Sequence, residues 1–256
     1  MNPNYILGGC ALALALGLSP IAEARQSGVT PDILAAVAAS DRPQDDFERD
    51  ADRKPRELMA FAGIAPGQKV ADIIPGGGYF TRIFSHVVGP TGHVYAVVPS
   101  ELAKGAPAIA DAIKIVASDP THPNVTAPIV PLREVATDKP VDAAWISDDY
   151  HDIYGFFGQS AAAQFDAAVF KMVKPGGEFI VIDHVAKAGT SATSPQTLHR
   201  IDPDTVIAQV TAAGFTYEGS ADVLRNAEDT HERAVFDPAI RGRTDQFVMK
   251  FRKPMN

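Results

Sequence analysis

An α/β domain built on a mostly parallel, doubly wound sheet is the fold that the sequence predicts. Apolar runs of strand length alternate with amphipathic segments of helical spacing, and this order produces right-handed crossovers between parallel strands. The clearest junction lies in segment 70–85, where an apolar strand, three consecutive glycines and a helix start follow one another directly. The composition agrees, because 46% hydrophobic residues in a chain of 256 provide for one sizeable core.

The first residues predict an export signal. Residues 6–18 are almost entirely apolar, but this run is shorter than the roughly 20 residues that span a bilayer. Ala22 and Ala24 are small residues at the two positions that a signal peptidase needs, so 1–24 are predicted to be a signal peptide and the protein to be periplasmic or secreted. No Lys or Arg precedes the apolar run, so a buried helix in a cytoplasmic protein and an uncleaved anchor stay open.

Charge and cysteine content limit the classes of binding partner and the cell compartment that the sequence predicts. The formal net charge is −8, and such an acidic chain lacks the basic field expected of a nucleic-acid binder. Neither nucleic acid nor an anionic membrane surface is therefore expected as a partner. The single cysteine, Cys10, lies inside the predicted signal, and a cysteine-free mature chain is compatible with an oxidising compartment.

A helical cap is predicted over residues 25–63, before the core domain at 64–256. Thr30 is a suitable N-cap for a helix that extends to Ser40, and a second helix over 55–62 ends at Gly63. The charged stretch between them, 43–52, is interpreted mainly as a solvent-exposed face. The alternative is a cover over a substrate.

The segment 70–85 predicts a ligand site. Val70 to Ile74 form a buried strand, and from Tyr79 apolar pairs recur at helical spacing until Gly89. Glycines let a ligand approach the backbone closely, and the free N–H groups at the helix start can receive polar groups. A tight structural turn would use the same residues.

The remaining elements continue the alternation and bring the predicted sheet to seven strands. Pro107 interrupts one predicted helix, and a turn at 174–177 precedes the fifth strand. A small, polar stretch at 186–196 is predicted to be a mobile loop over the site. The predicted strands are 92–98, 125–130, 141–147, 178–184, 215–223 and 244–251, and the predicted helices are 102–117, 164–173 and 205–213, the last capped by Asp204.

Two stretches resemble the class I S-adenosylmethionine-dependent methyltransferases. These are the glycine turn and Lys174-Pro175-Gly176-Gly177 before an apolar strand. The resemblance covers about 55–254 and implies a Rossmann-like sheet whose last strand is antiparallel. It also implies S-adenosylmethionine as cofactor and methyl transfer to a small-molecule acceptor. A Tyr-His-Asp sequence after the fourth strand is similar to a branch of secreted bacterial methyltransferases.

The resemblance assigns cofactor-binding residues. Asp72 matches the acidic residue near the end of the first strand, and Gly76 and Gly78 match the second and third glycines of the family pattern, while Ile74 stands where the first glycine is usual. In the family an acid at the end of the second strand binds the ribose. Here Glu101 either substitutes for it or the contact is missing. The implied cofactor contacts are Asp72, Gly76, Gly77, Gly78, Tyr79, Glu101 and Asp148.

The chemistry is predicted at the loop after the fourth strand, with Tyr150, His151 and Asp152 as catalytic residues. His151 can accept a proton near neutral pH, and an adjacent carboxylate can fix its tautomer. Tyr150 can stack on a ligand or donate a hydrogen bond. Methyl transfer needs mainly an aligned acceptor, so a general base is dispensable. The alternative is a structural loop with helix-capping aspartates.

Further along, a long charged insertion at 224–243 is predicted to lie by the pocket. Arg200 or Arg225 is available there for an anionic substrate group, or forms surface ion pairs. No metal site is predicted, because the histidines are scattered and no pair has helical ligand spacing. His184, at the end of the fifth strand, either faces substrate or is packed and hydrogen-bonded.

Two other functions remain as alternatives to methyl transfer. The first is a non-catalytic binding protein that keeps the fold but has lost cofactor affinity, which the missing acid after Val98 favours. The second is a nicotinamide dehydrogenase, which is disfavoured because the glycines do not follow Gly-x-Gly-x-x-Gly spacing.

Overall fold

The computed structural model describes Met1 and residues 28–255. The predicted signal peptide therefore lies, apart from Met1, outside the described residues. Across the described part of the chain, no helix is both long enough and apolar enough to cross a membrane.

The described residues form an α/β fold in which helices and strands alternate. The helices are α1 (Pro31–Val37), α2 (Gln44–Arg53), α3 (Pro55–Ala62), α4 (Tyr79–Val88), α5 (Ser100–Gly105), α6 (Pro107–Ser118), α7 (Tyr150–Phe157), α8 (Gln159–Met172), α9 (Ser194–Leu198) and α10 (Pro203–Ala212). The strands are β1 (Lys69–Ile73), β2 (His93–Pro99), β3 (Val125–Thr126), β4 (Ile129–Val130), β5 (Val141–Ser147), β6 (Val173–His184), β7 (Thr216–Ala221) and β8 (Gln246–Arg252).

The sheet has eight strands and confirms the predicted fold class. Its order is β3, β2, β1, β5, β6, β8, β7, with β4 also paired to β2. Every described pairing is parallel except those of β8, which runs antiparallel to both of its neighbours. Strand β1 pairs with β2 on one side and with β5 on the other, so the strand order reverses there. Ligands of such sheets bind beyond the carboxyl ends of the strands at this reversal.

The third predicted strand is divided in two. Residues 125–130 were expected to be continuous, but Ala127 and Pro128 separate β3 from β4. Proline has no N–H to give to a ladder, and only its carbonyl takes part, accepting from Val98 N at 3.0 Å. The sheet therefore has eight strands in place of the predicted seven, although both pieces lie beside β2.

The core consists of two apolar clusters. Trp145 and Phe84 belong to one, and Phe165 and Phe179 belong to the other. The first cluster also contains Ile33 of α1 and residues of α3, so these N-terminal helices pack against the domain core. The glycine turn is thus held between a buried strand and a helix that is itself covered.

Three local predictions were wrong. The segment after β5 is not a loop, because α7 begins at Tyr150. The N-cap of α10 is Asp202 and not Asp204: Pro203 occupies the first helical position, and the Asp202 carboxylate accepts from the N–H of Asp204. Residues 174–177 belong to β6 rather than to a turn, and Gly177 is required there because a Cβ would lie 2.8 Å from the carbonyl of Asp142.

Candidate functional site

A cavity of about 710 Å³ lies at the carboxyl ends of β1, β5 and β6. Its wall comes from the glycine turn, the start of α7, helix α2 and the insertion before β8. Six aspartates line it, together with three arginines, three aromatic residues and three histidines. The lining residues are Asp45, Arg49, Asp52, Arg53, Asp72, Ile74, Pro75, Gly76, Gly77, Tyr79, Phe80, Ser147, Asp148, Asp149, His151, Asp152, His184, His199, Val235, Phe236, Arg241, Gly242, Thr244 and Gln246.

The glycine turn opens directly into this cavity. A Cβ placed on Gly76 or on Gly77 would meet no atom within 4 Å, so a ligand can approach the backbone there. Ile74, which replaces the usual first glycine, lies in the left-handed region at φ +56°. That conformation is rare for a β-branched residue and indicates backbone strain at the cavity wall.

The third glycine has a packing role. Gly78 does not line the cavity. A Cβ on it would lie 3.0–3.2 Å from Val116, Ile113 and Arg82, so α6 packs directly on the turn. The next residue, Tyr79, does line the cavity.

Asp72 is buried at the end of β1 beside the turn. Its carboxylate accepts a 2.6 Å hydrogen bond from the hydroxyl of Thr81 in the first turn of α4. Burial raises the pKa of Asp72 to about 7, against the lowering effects of Thr81 and of the charge on Arg53. The carboxyl of Asp72 therefore changes charge near neutral pH.

Helix α2 lies over the turn and is only partly exposed. The buried side chains of Asp46 and Arg82 form a 2.6 Å ion pair that joins α2 to α4. Arg53 reaches 2.8 Å to Asp148 across the cavity. The prediction of a solvent-exposed face thus holds for one side of the helix only, and the other side lines the cavity or packs on α4.

Two aspartates follow β5 at the floor of the cavity. Asp148 has a left-handed backbone at φ +69°, and its carboxylate accepts from Arg53 and from the amide of Gln246. Burial, followed by the charges of Asp148, Asp152 and Asp183, raises the pKa of Asp149. The raised pKa favours the neutral form of the Asp149 carboxyl, whereas the Asp148 carboxylate is paired with Arg53.

His151 has the most constrained side chain of the site. Its Nδ1 lies 2.7 Å from Oδ1 of Asp183, while its backbone N–H donates to Oδ2 of the same residue at 2.7 Å. Its Nε2 lies 2.9 Å from Asp152 Oδ1 and 3.2 Å from His199 Nδ1. Because His151 is only 2% exposed, these contacts fix the ring.

The electrostatics of His151 favour its cation. Burial by itself lowers the pKa of this imidazole, but Asp183 and Asp152 outweigh that effect and raise the pKa to about 10. The ring is therefore an imidazolium at neutral pH. The predicted role as proton acceptor requires that this proton first be removed.

Sequence reasoning missed His199 and the role of Asp183. His199 ends α9 in a left-handed conformation at φ +54° and lies 48 residues from His151 in the chain. No local spacing signals that contact. Asp183 had a weaker signal, because an acid at the end of an apolar strand falls at the ligand edge of the sheet.

Besides Gly78, two predicted site residues do not line the cavity. Tyr150 is fully buried in the core, and its hydroxyl donates to Asp166 at 2.8 Å. The Glu101 carboxylate accepts from the N–H of Leu132 at 2.9 Å and does not line the cavity. His151, Asp152 and Asp148 do line the cavity.

The insertion at 224–243 lies by the pocket, as predicted, but other residues face it. Arg200 is fully buried against Asp229 at 2.9 Å, and Arg225 pairs with Asp245 at 2.8 Å. Arg241 lines the cavity in their place, next to exposed Phe236. His184 is hydrogen-bonded, as one of its two alternatives proposed, because its Nδ1 lies 2.8 Å from the Thr244 hydroxyl, and it also lines the cavity.

No protein-family model and no curated protein sequence matches this chain. Solved structures do match it. The [4+2]-cyclase SpnF aligns with a TM-score of 0.60 and 16% identity, covering 91% of this chain and 96% of its own. A SAM-dependent methyltransferase from Aquifex aeolicus gives 0.56 and 15%, with coverage of 85% and 97%.

The glycopeptide N-methyltransferase MtfA, solved with sinefungin, gives a TM-score of 0.55 and 16% identity, and covers 88% of this chain and 98% of its own. At these identities the similarity concerns the fold. Together with the strand order, it shows that this chain has the Rossmann-like fold of the S-adenosylmethionine-dependent methyltransferases.

Proposed function

We propose that the protein transfers a methyl group from S-adenosylmethionine to a small-molecule acceptor. One observation carries the proposal: in a methyltransferase fold, the glycine turn after β1 opens into the same cavity that holds His151 and its partners. A donor at the turn and an acceptor at the histidine would share one enclosed space. Such proximity is the main requirement of a methyl transfer.

The residues around the turn fit this cofactor. Gly76 and Gly77 leave the backbone open, and Arg49 on the rim supplies a positive charge for a carboxylate. Asp148 and Asp149 at the floor offer carboxyl oxygens to the polar groups of a ligand. When bound, S-adenosylmethionine supplies a methyl group on a positively charged sulfur.

The acceptor half of the cavity is made by the chain's histidines and by the insertion. Asp183 and Asp152 hold the imidazole of His151 in place at the cavity wall, next to His199, which also lines the cavity. Arg241 offers a charge for an anionic group, and Phe236 offers an aromatic face. These contacts predict a small polar acceptor that carries an aromatic or anionic part.

Export remains part of the proposal. We propose that residues 1–24 direct the chain to the periplasm or beyond and are removed. Intact-mass measurement of the protein recovered from the producing cell's periplasmic fraction tests this. A mass beginning at Arg25 supports cleavage, and the full-length mass in the cytoplasm contradicts it.

A binding protein without catalysis is the alternative, and one observation favours it. No residue of β2 lines the cavity, and the late acid Glu101 is occupied by Leu132. A site without the ribose contact would bind the cofactor weakly or take another ligand. The fold alone does not decide between the functions, because SpnF has the same fold and is a [4+2]-cyclase.

Calorimetric titration with S-adenosylmethionine and S-adenosylhomocysteine separates the two functions. We expect saturable binding to the full chain, and loss of that binding in Gly77→Leu, whose side chain would fill the open space at the turn. Gly105→Leu is the matched control, because Gly105 also has open space around it but lies outside the cavity. Absence of binding to the folded wild type would refute the methyltransferase proposal.

A further inference from the structure

We propose that His151, Asp152 and His199 bind a divalent transition-metal ion inside the cavity. The three ligand atoms are Nε2 of His151, Oδ1 of Asp152 and Nδ1 of His199. They form a triangle with sides of 2.9, 3.1 and 3.2 Å. All three residues line the cavity.

The triangle has the dimensions of one face of a metal coordination shell. Bonds of about 2.0–2.2 Å that meet at right angles separate the ligand atoms by about 2.8–3.1 Å. A tetrahedral arrangement of the same bonds separates them by about 3.3–3.6 Å. The observed sides lie closest to the facial arrangement of an octahedral site, which leaves further positions open toward the cavity.

A second carboxylate orients the buried histidine as metal sites require. Asp183 is fully buried, lies 2.7 Å from Nδ1 of His151, and accepts the backbone N–H groups of His151 and His184. A histidine that donates one ring N–H to such a carboxylate presents its other nitrogen to a metal, and binding of the ion displaces the proton that this nitrogen carries in the imidazolium. The ring of His199 also contacts Phe236, with ring centroids 4.8 Å apart.

The donor set selects the kind of ion. Two imidazoles and one carboxylate suit Zn²⁺, Fe²⁺, Co²⁺ or Ni²⁺, whereas Mg²⁺ and Ca²⁺ prefer oxygen ligands. An ion at this position would bind an acceptor oxygen and lower the pKa of its hydroxyl. That last role rests on the proposed methyl transfer, whereas the binding of the ion does not.

A second group of similar composition provides the contrast. Asp41, His86 and His122 also lie near one another, but His122 Nε2 is 4.0 Å from Asp41 and none of the three lines the cavity. No buried carboxylate orients His86 or His122 among the described contacts. His86→Asn therefore serves as a control that leaves the proposed site intact.

The test uses the full chain, first stripped with a chelator and then titrated with Co²⁺ and Zn²⁺ alone. Co²⁺ reports its ligands by visible absorption, and elemental analysis counts the bound ions. We expect one ion per chain, and at least about tenfold weaker binding in Asp152→Asn and in His199→Asn. Asn tolerates the left-handed backbone of His199, so this variant is expected to fold.

The results of the metal titration test the proposed metal site independently of the proposed methyl transfer. Stoichiometric binding that both variants weaken and His86→Asn leaves unchanged supports it. Absence of saturable binding to the wild type, or equal affinity in all three variants, overturns it and leaves a metal-free hydrogen-bonded network. Because no S-adenosylmethionine is present, failure here does not bear on cofactor binding, which calorimetry measures.

Discussion

At the scale of single residues, the cavity wall combines unusual backbone conformations with charged side chains. Ile74, Asp148 and His199 are non-glycine residues with positive φ, and all three line the cavity. Conformations of this kind cost about 1–3 kcal/mol each and persist where the surrounding structure determines them. The strain therefore points to a site whose geometry is fixed before any ligand arrives.

The raised pKa of Asp72 predicts that the stability of the folded protein depends on pH. Its pKa is about 7 in the folded chain and 3.8 in the unfolded reference, so the folded state binds the proton more tightly. The stability that this group contributes is then highest below about pH 4, falls as the pH rises from about 4 to 7, and levels off above pH 7. Asp72→Asn removes this loss, on the order of 2–4 kcal/mol at pH 8.

Urea unfolding of the wild type and Asp72→Asn at pH 5 and pH 8 measures the effect. The variant is expected to gain stability relative to the wild type as the pH rises between those values. The same difference at both values would show that Asp72 does not titrate in this range.

At the scale of elements, helix α2 depends on buried charge. Asp46 and Arg82 are 4% and 8% exposed and hold α2 against α4. Removing one partner of a buried pair leaves the other charge uncompensated, so Asp46→Ala is expected to lower the free energy of unfolding by about 3–5 kcal/mol. Asp111→Ala, which breaks an exposed pair with Lys114, should change it by less than about 1 kcal/mol. Chemical denaturation compares the two, and equal effects would contradict the account.

The N-cap of α10 gives a second prediction at this scale. Asp202 accepts from the N–H of Asp204 and also from that of Gly189. Asp202→Ala is expected to destabilise the protein by about 1–2 kcal/mol. Asp204→Ala, the residue that the sequence pattern favoured as cap, should cost only a few tenths of a kcal/mol. Thermal unfolding compares the two variants, and a larger loss of stability in Asp204→Ala than in Asp202→Ala would support Asp204 as the cap.

The elements that sequence patterns missed have identifiable causes. Strands such as β5 were predicted at their observed bounds because buried parallel strands are nearly continuous apolar runs. Helix α7 was missed because Gly155 weakens its helical signal. The glycine is needed there because a Cβ on it would lie only 2.6 Å from Pro195 of α9. The contact between helices α7 and α9 required that glycine, and single-sequence propensity does not contain such a contact.

At the scale of the whole molecule, the strand order determines where the site lies. The reversal at β1 brings the glycine turn and the segment after β5 to one edge, which the alternation of elements predicted. His199 and Arg241 reach that edge through long-range packing, so their place could not be predicted from spacing. The same packing turned Tyr150 and Glu101 away from the cavity.

The central claim is that the cavity between the glycine turn and His151 holds S-adenosylmethionine. A crystal structure of the protein grown with S-adenosylhomocysteine tests it most directly. The account predicts the ligand in that cavity, against the backbone of Gly76 and Gly77 and within reach of the segment that contains His151. An empty cavity at saturating ligand, or the ligand bound elsewhere on the molecule, would contradict it.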